Sequence, residues 1–409
     1  MTAPGFTSAG VEFVGYHDVG GKPVFKLAMQ VVENRWYLYA THFWEPRLSV
    51  FDVTDPADPR LVGAIEGPDE AATWQVQVAE GLMVQGLERR PVAWGGDPAD
   101  TSDEGIRFFD VRDPVSPKLL SQWRTGAHGV HRNHYTGGRY VHVTASRRGF
   151  DGNIYVILDV SDREHPEEVA MWFHPQQYTA AGGGNLTGAA GETPSRRISL
   201  HGPPYVLGDR AYLSYGAAGI VILDISDITN PTLVSRLDIG AAFSSMIAMH
   251  SVVPLPQRNL LLVNTEAIAE RQQEAYNFAG IVDVSDELHP RVISLLPIPE
   301  PAPDAAYPNF STRGGRFGPH NQHHPQGAEL LADDNLMFMT WFNAGLRIYD
   351  ISDEYLPREV AWYLPDDPTE RRGLLPKTLV TQSEDVLVDA RGNIYFSDKN
   401  HGLHIVRLR

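Results

Sequence analysis

The residues of this 409-residue chain best suited to chemistry are its 16 histidines, which are not accompanied by a single cysteine. With no thiolate to hand, a metal ion has to be held by imidazole, carboxylate or backbone oxygen, and neutral imidazole is the commonest side-chain ligand of transition ions. Three histidines share one spacing. His131 lies four residues before Tyr135, His201 four before Tyr205 and His250 four before Pro254, and each pair is followed by a turn carrying Arg139, Arg210 or Arg258. The stretch Gly318-Pro-His-Asn-Gln-His-His-Pro-Gln-Gly327 supplies a fourth: alignment puts His324 nearest the shared position, and a turn longer by about one residue leaves His323 or His320 as alternatives. The same register puts Glu384 in a further repeat, with Lys26 or Leu27 and Trp74 or Gln75 in the remaining two. Four imidazoles at equivalent positions would converge on one axis, bind one side of an ion and leave other positions open. Ligating histidines need an acceptor on the second ring nitrogen, and Glu266, in Val263-Asn-Thr-Glu, and Glu384 are the candidates for it. Either carboxylate is also a candidate catalytic base.

The other histidines are assigned elsewhere. His134, three residues past His131, faces the opposite way on an extended strand and is read as packing. His42 and His401 end strands and are placed at the rim of the same face; His17, His165, His174 and His289 are expected in solvent.

What positions the four histidines is a repeat. Six segments, at 48–59, 106–117, 155–166, 220–231, 280–290 and 346–357, follow one pattern. An apolar strand ends in Asp-(Val/Ile)-x-Asp or a close variant, a turn closes on Pro, and a second apolar run follows. The Asp side chains suit turns, where they accept from nearby backbone N–H groups, better than a calcium site. Between signatures lie two more strand signals joined by tight turns, so each repeat holds four antiparallel strands, A to D. The fold class is therefore all-β, a seven-bladed β-propeller occupying 1–409 as one domain. Strands A to C of the last blade end the chain, and its strand D is supplied by 12–19, closing the ring and removing exposed sheet edges. The signature resembles that of the LVIVD-repeat proteins, most closely in Ile220–Asp224 and Leu346–Asp350. That resemblance implies a propeller and carries no particular activity.

Long connections fall at 89–105 and 267–279 between strands B and C, and at 174–198 and 297–318 between blades. All four map to the face where strand A begins, which is where the histidines emerge. The glycine-rich run 180–191 lacks a phosphate-loop pattern and reads as a flap or spacer, and the proline-rich run 297–308 as a stiff lid.

A net charge of −17 excludes nucleic acid and anionic lipid as main partners. The start of the chain lacks a signal-peptide pattern and no run approaches 18 apolar residues, so a cytoplasmic location is expected. No Gly-x-Ser-x-Gly elbow or dinucleotide fingerprint is present. In site architecture alone, without a shared motif, the chain is similar to carotenoid-cleavage-type oxygenases, which hold ferrous iron with four axial histidines backed by glutamates. The likeness implies an Fe(II)-dependent oxygenase acting with O2 on an unsaturated or phenolic small molecule. Trp44, Trp74, Phe310, Phe317 and Trp341 would supply an aromatic mouth. The same ring with zinc, copper or manganese would suit a lyase, isomerase or hydrolase, and a propeller without metal would suit a protein-binding scaffold.

Overall fold

The computed structural model describes residues 3–68, 71–92, 95–97, 99, 103–184, 197–239 and 245–409. Residues 185–196 of the insertion at 174–198, including part of the glycine-rich run, lie outside them. Seven four-stranded antiparallel sheets are present, five of them formed in chain order within 24–66, 71–123, 130–172, 205–237 and 247–295. The last blade comprises Ser383–Val388, Asn393–Asp398 and Gly402–Leu408, and its outer strand is Val11–His17, paired from Val11 with Leu408 to His17 with Leu403. In every blade the outermost C–D pairing carries one register shift, and the N-terminal strand repeats it between Phe13 and Gly15. Shared local geometry marks it as a true strand D. One strand was not legible in advance: Phe6–Ala9 adds to the outer edge of blade six, along Arg358–Pro365.

Strands B and C read as unbroken apolar runs, Ile154 to Leu158 and Ile220 to Leu223 among them, because both faces of a blade are covered by its neighbours. Seven apolar cores result, one between each neighbouring pair of blades, including blade seven against blade one through Leu387, Tyr395, Leu27 and Leu38. The signature aspartates act as turn formers in all six repeats. Asp52, Asp110, Asp159, Asp224, Asp283 and Asp350 each accept from the backbone N–H two residues on, which is the Asx turn their sequence position suggested.

Candidate metal centre

Strand A loses its regular pairing with strand B as it reaches the mouth. The register shifts between Val24 and Leu27, Ala72 and Gln75, Val130 and Arg132, Ile247 and Ser251, and Ser383 and Asp385. Such bulges re-aim side chains that a regular strand would send alternately to its two faces, and His131, His250 and Glu384 all lie inside them. His201 precedes the short strand Tyr205–Leu207 and is tied to strand B by its N–H to the Ser214 carbonyl, 3.0 Å. A Cβ on Gly202 would overlap the His250 carbonyl oxygen, so this glycine is what lets the two histidine-bearing segments touch.

The imidazoles form a chain around the axis. Ring centroids are 4.6 Å apart for His131 and His201, 5.0 Å for His201 and His250, and 5.0 Å for His250 and His320. The fourth member is thus His320, and His324 does not join the ring. Its segment meets Leu336–Thr340 irregularly, through His320 N to Thr340 O and His323 N to Phe338 O, both 2.9 Å, and a register counted back from the turn overshoots. His324 instead packs against Tyr205 with the rings tilted, centroids 4.5 Å apart, and meets His134 at 5.4 Å. This contact joins blades three and six across the axis, so His134 does not face away from it as strict alternation required; the bulge at His131 breaks the alternation. Neither nitrogen of His134 has a hydrogen-bond partner among the described residues.

Three carboxylates serve the ring in two ways. Glu88 Oε2 holds His131 Nδ1 at 2.8 Å, and Glu384 holds His320 Nδ1 through its carbonyl oxygen at 2.8 Å and Oε2 at 3.2 Å. The Ser251 hydroxyl holds His250 Nδ1 at 2.7 Å. Glu266 stands among the other nitrogens: its Oε2 is 3.0 Å from His201 Nε2 and 3.6 Å from His250 Nε2, and its Oε1 is 3.7 Å from His320 Nε2. One ligand atom each from His201, His250 and Glu266 lies within 4.8 Å of the others. Cations complete the cluster. Arg316 reaches Glu266 at 3.0 Å and Glu384 at 3.4 Å, and Lys399 reaches Glu384 at 2.7 Å while packing on the Phe43 ring, 4.0 Å from its centroid.

Burial pulls His201 down to about 4, its hydrogen bond to Glu266 opposing only in part, and it pulls His250 well below the usual imidazole range. Burial works against the charge of Glu266, but the hydrogen bond from His201 and the surrounding ring outweigh it, and the carboxyl is held well below its ordinary value. Glu384 is held low in the same way, burial being outweighed by Lys399, the His320 hydrogen bond and Arg316. His201 and His250 are thus kept neutral, and His131, His250 and His320 have Nδ1 held, which leaves imidazole nitrogens gathered around the Glu266 carboxylate as a divalent ion requires. The Nε2 of His131 has no other hydrogen-bond partner among the described residues. An ion at His250 would require the Arg132 guanidinium, whose Nη2 lies 3.4 Å from His250 Nε2, to turn aside.

Glu88, Arg132, Arg316 and Lys399 were missed in the sequence. A signal for two of them existed: Glu88 lies at the end of Leu82–Arg89 as Glu266 ends Leu260–Glu266, and Lys399 follows Asn393–Asp398, so all three leave strand B at the mouth. Of the aromatic candidates, Trp44 and Trp74 join Phe25 and Phe43 in a cluster beside the ring, Phe25 being 5.9 Å from His320. Trp341, Phe310 and Phe317 pack in the core between blades five and six instead. His42 bonds Ser49 and His401 the Asp366 carbonyl, outside the ring. His165 and His289 are in solvent as expected, whereas His17 and His174 are half-buried. A further long connection, 366–382, joins the insertions: Glu270 accepts from the Lys377 and Thr378 N–H groups, Arg313 pairs with Asp367 at 2.6 Å, and Arg372 donates to the Asp18 and His401 carbonyls.

Fold and repeat together define the class: an all-β, seven-bladed propeller. The LVIVD repeat family matches residues 205–239, which is blade four. Among curated proteins none matches the chain. Of solved structures, the periplasmic gluconolactonase PpgL of Pseudomonas aeruginosa is similar over 94% of this chain and 100% of its own, with 11% identity and a TM-score of 0.57. The computationally designed protein Ika8 is similar over 97% and 98%, with 8% identity and a TM-score of 0.49. The first likeness is one of fold, and the second carries no argument. No described helix is long and apolar enough to cross a membrane.

Proposed function

We propose that the chain is a metal-dependent hydrolase of a small ester or lactone, with a divalent first-row ion held by His201, His250 and Glu266 and flanked by His131 and His320. The observation that carries this reading is the place of Glu266. A purely four-histidine iron site would keep its glutamates behind the imidazoles; here Glu88 and Glu384 do that, while Glu266 stands level with the inward nitrogens. A carboxylate in that position serves as a ligand or as the base that takes a proton from water, and a mixed nitrogen and oxygen donor set suits hydrolysis. The ion, when bound, acidifies a water and polarises a carbonyl oxygen. Glu266, held ionised, would supply the oxygen donor to the ion, and Arg316, 3.0 Å from it, would offset negative charge gathering at the site. The fold likeness to a gluconolactonase is consistent with lactone opening and adds no residue-level support.

Elemental analysis after loading with manganese, iron, cobalt or zinc tests the site. About one equivalent is expected in the wild type and a loss of it in His201→Ala, His250→Ala and Glu266→Gln with the fold intact. Turnover of a lactone and ester panel, followed by acid release, is expected to be the same with and without dioxygen. Lack of a stoichiometric metal, or activity that needs dioxygen, overturns the proposal.

A further inference from the structure

Arg132 is a buried cation of the mouth that feels Glu266 and Glu88 at a distance but makes no direct ion pair among the described residues. It follows His131 at the strand-A bulge and is 4% exposed. Its Nη1 donates to the His131 carbonyl at 3.2 Å and its Nη2 points at His250 Nε2 from 3.4 Å, while Nε has no partner. Among the described residues no carboxylate oxygen lies within 4.0 Å of it. Three other buried cations of the cluster do have one: Arg316 has Glu266 and Glu384, Lys399 has Glu384, and Lys26 has Asp385 at 2.8 Å. The guanidinium lies 5.7 Å from the centroid of Phe25, an apolar neighbour that hydrates nothing.

A guanidinium does not shed its proton, and burying it without a directly paired carboxylate is unfavourable. The free atoms, Nε and the weakly engaged Nη2, form one edge of the guanidinium fork, the edge that takes a planar carboxylate through two parallel hydrogen bonds. Charge balance points the same way. Glu88, Glu266 and Glu384 equal Arg132, Arg316 and Lys399 in number, although none of them pairs directly with Arg132, so a divalent ion added there leaves an excess of positive charge for an anion to neutralise.

We propose that Arg132 is the anchor for a carboxylate on the ligand of this site, so that the substrate is a small carboxylic acid derivative. This rests on the reading of the mouth as a substrate site, but the anion binding it predicts does not require metal. Calorimetric titration with benzoate, acetate and the neutral isostere benzamide, on both metal-loaded and chelator-stripped protein, tests it. The wild type is expected to bind the carboxylates and not benzamide, and Arg132→Met to bind them at least tenfold more weakly with its metal content unchanged. Arg132→Lys, which keeps the charge and loses the fork, is expected to fall in between, and it serves if the methionine variant does not fold. Arg132-dependent binding to protein that never takes up metal upholds the anchor while the hydrolase reading fails. Equal binding by the wild type and the Arg132 variants, equal affinity for benzamide, or no binding of either carboxylate to the wild type overturns it.

Discussion

His134 offers a test in which acid, rather than mutation alone, is the perturbation. The imidazole is buried against Tyr205, His142 and His324, both its nitrogens lack hydrogen-bond partners among the described residues, and burial pushes it from 6.5 to about 4. Below pH 6.5 the unfolded chain takes up a proton at this position that the folded chain refuses until about pH 4. Stability from this group is therefore complete above 6.5 and is lost as the pH falls through that window. At pH 4.5 the difference is worth about 2.6 kcal/mol, at about 1.36 kcal/mol per pH unit. In His134→Leu the side chain has similar volume and no proton to gain. At pH 7.5 the variant is expected to be at least as stable as the wild type, since an unpartnered buried polar group costs about 1–3 kcal/mol. Urea unfolding followed by tryptophan fluorescence, with chelator present so that the metal centre contributes nothing, is to be compared at pH 7.5 and 4.5. His142, held at about 3 by burial first and by His134 second, loses stability in both proteins, so the burial part of its contribution cancels in the comparison. Acid is expected to cost the variant roughly 2.5 kcal/mol less than the wild type. Equal losses would refute the reasoning and mean that water or another group already satisfies His134.

Two further outcomes follow from the geometry. Gly202→Ala forces a methyl group into the His250 carbonyl, so the variant is expected to keep its β-rich circular dichroism, melt lower by roughly 1–3 kcal/mol of stability, and lose most of its bound metal on elemental analysis; full metal occupancy would contradict the close approach. Removing residues 1–10 is expected to be tolerated, because Phe6–Ala9 only widens blade six. Removing 1–17 strips Val11–His17 from Gly402–Leu408 and leaves an unpaired edge, so size-exclusion chromatography should show aggregation in that form alone.

What the amino-acid order determined by itself is the scaffold. A signature repeated six times, with Asx-turn aspartates and apolar strands, specifies local hydrogen bonds and two-faced burial, and both are short-range properties that survive without knowledge of the rest of the chain. The closing strand was legible for the same reason, since Val11–His17 repeats the pattern of its counterparts in other blades. His131, His201 and His250 were found because they sit at a fixed distance from turns of similar length. Tertiary structure alone decided the rest. The fourth ring member depended on an irregular segment, where a shift of a few residues moved the place from His324 to His320. Glu88, Arg316 and Lys399 come to the ring from different blades, and nothing in their spacing along the chain encodes that meeting. A bulge at the mouth overrode strand alternation and turned both His131 and His134 toward the axis, because an extra residue in a strand breaks the two-residue alternation of its side chains.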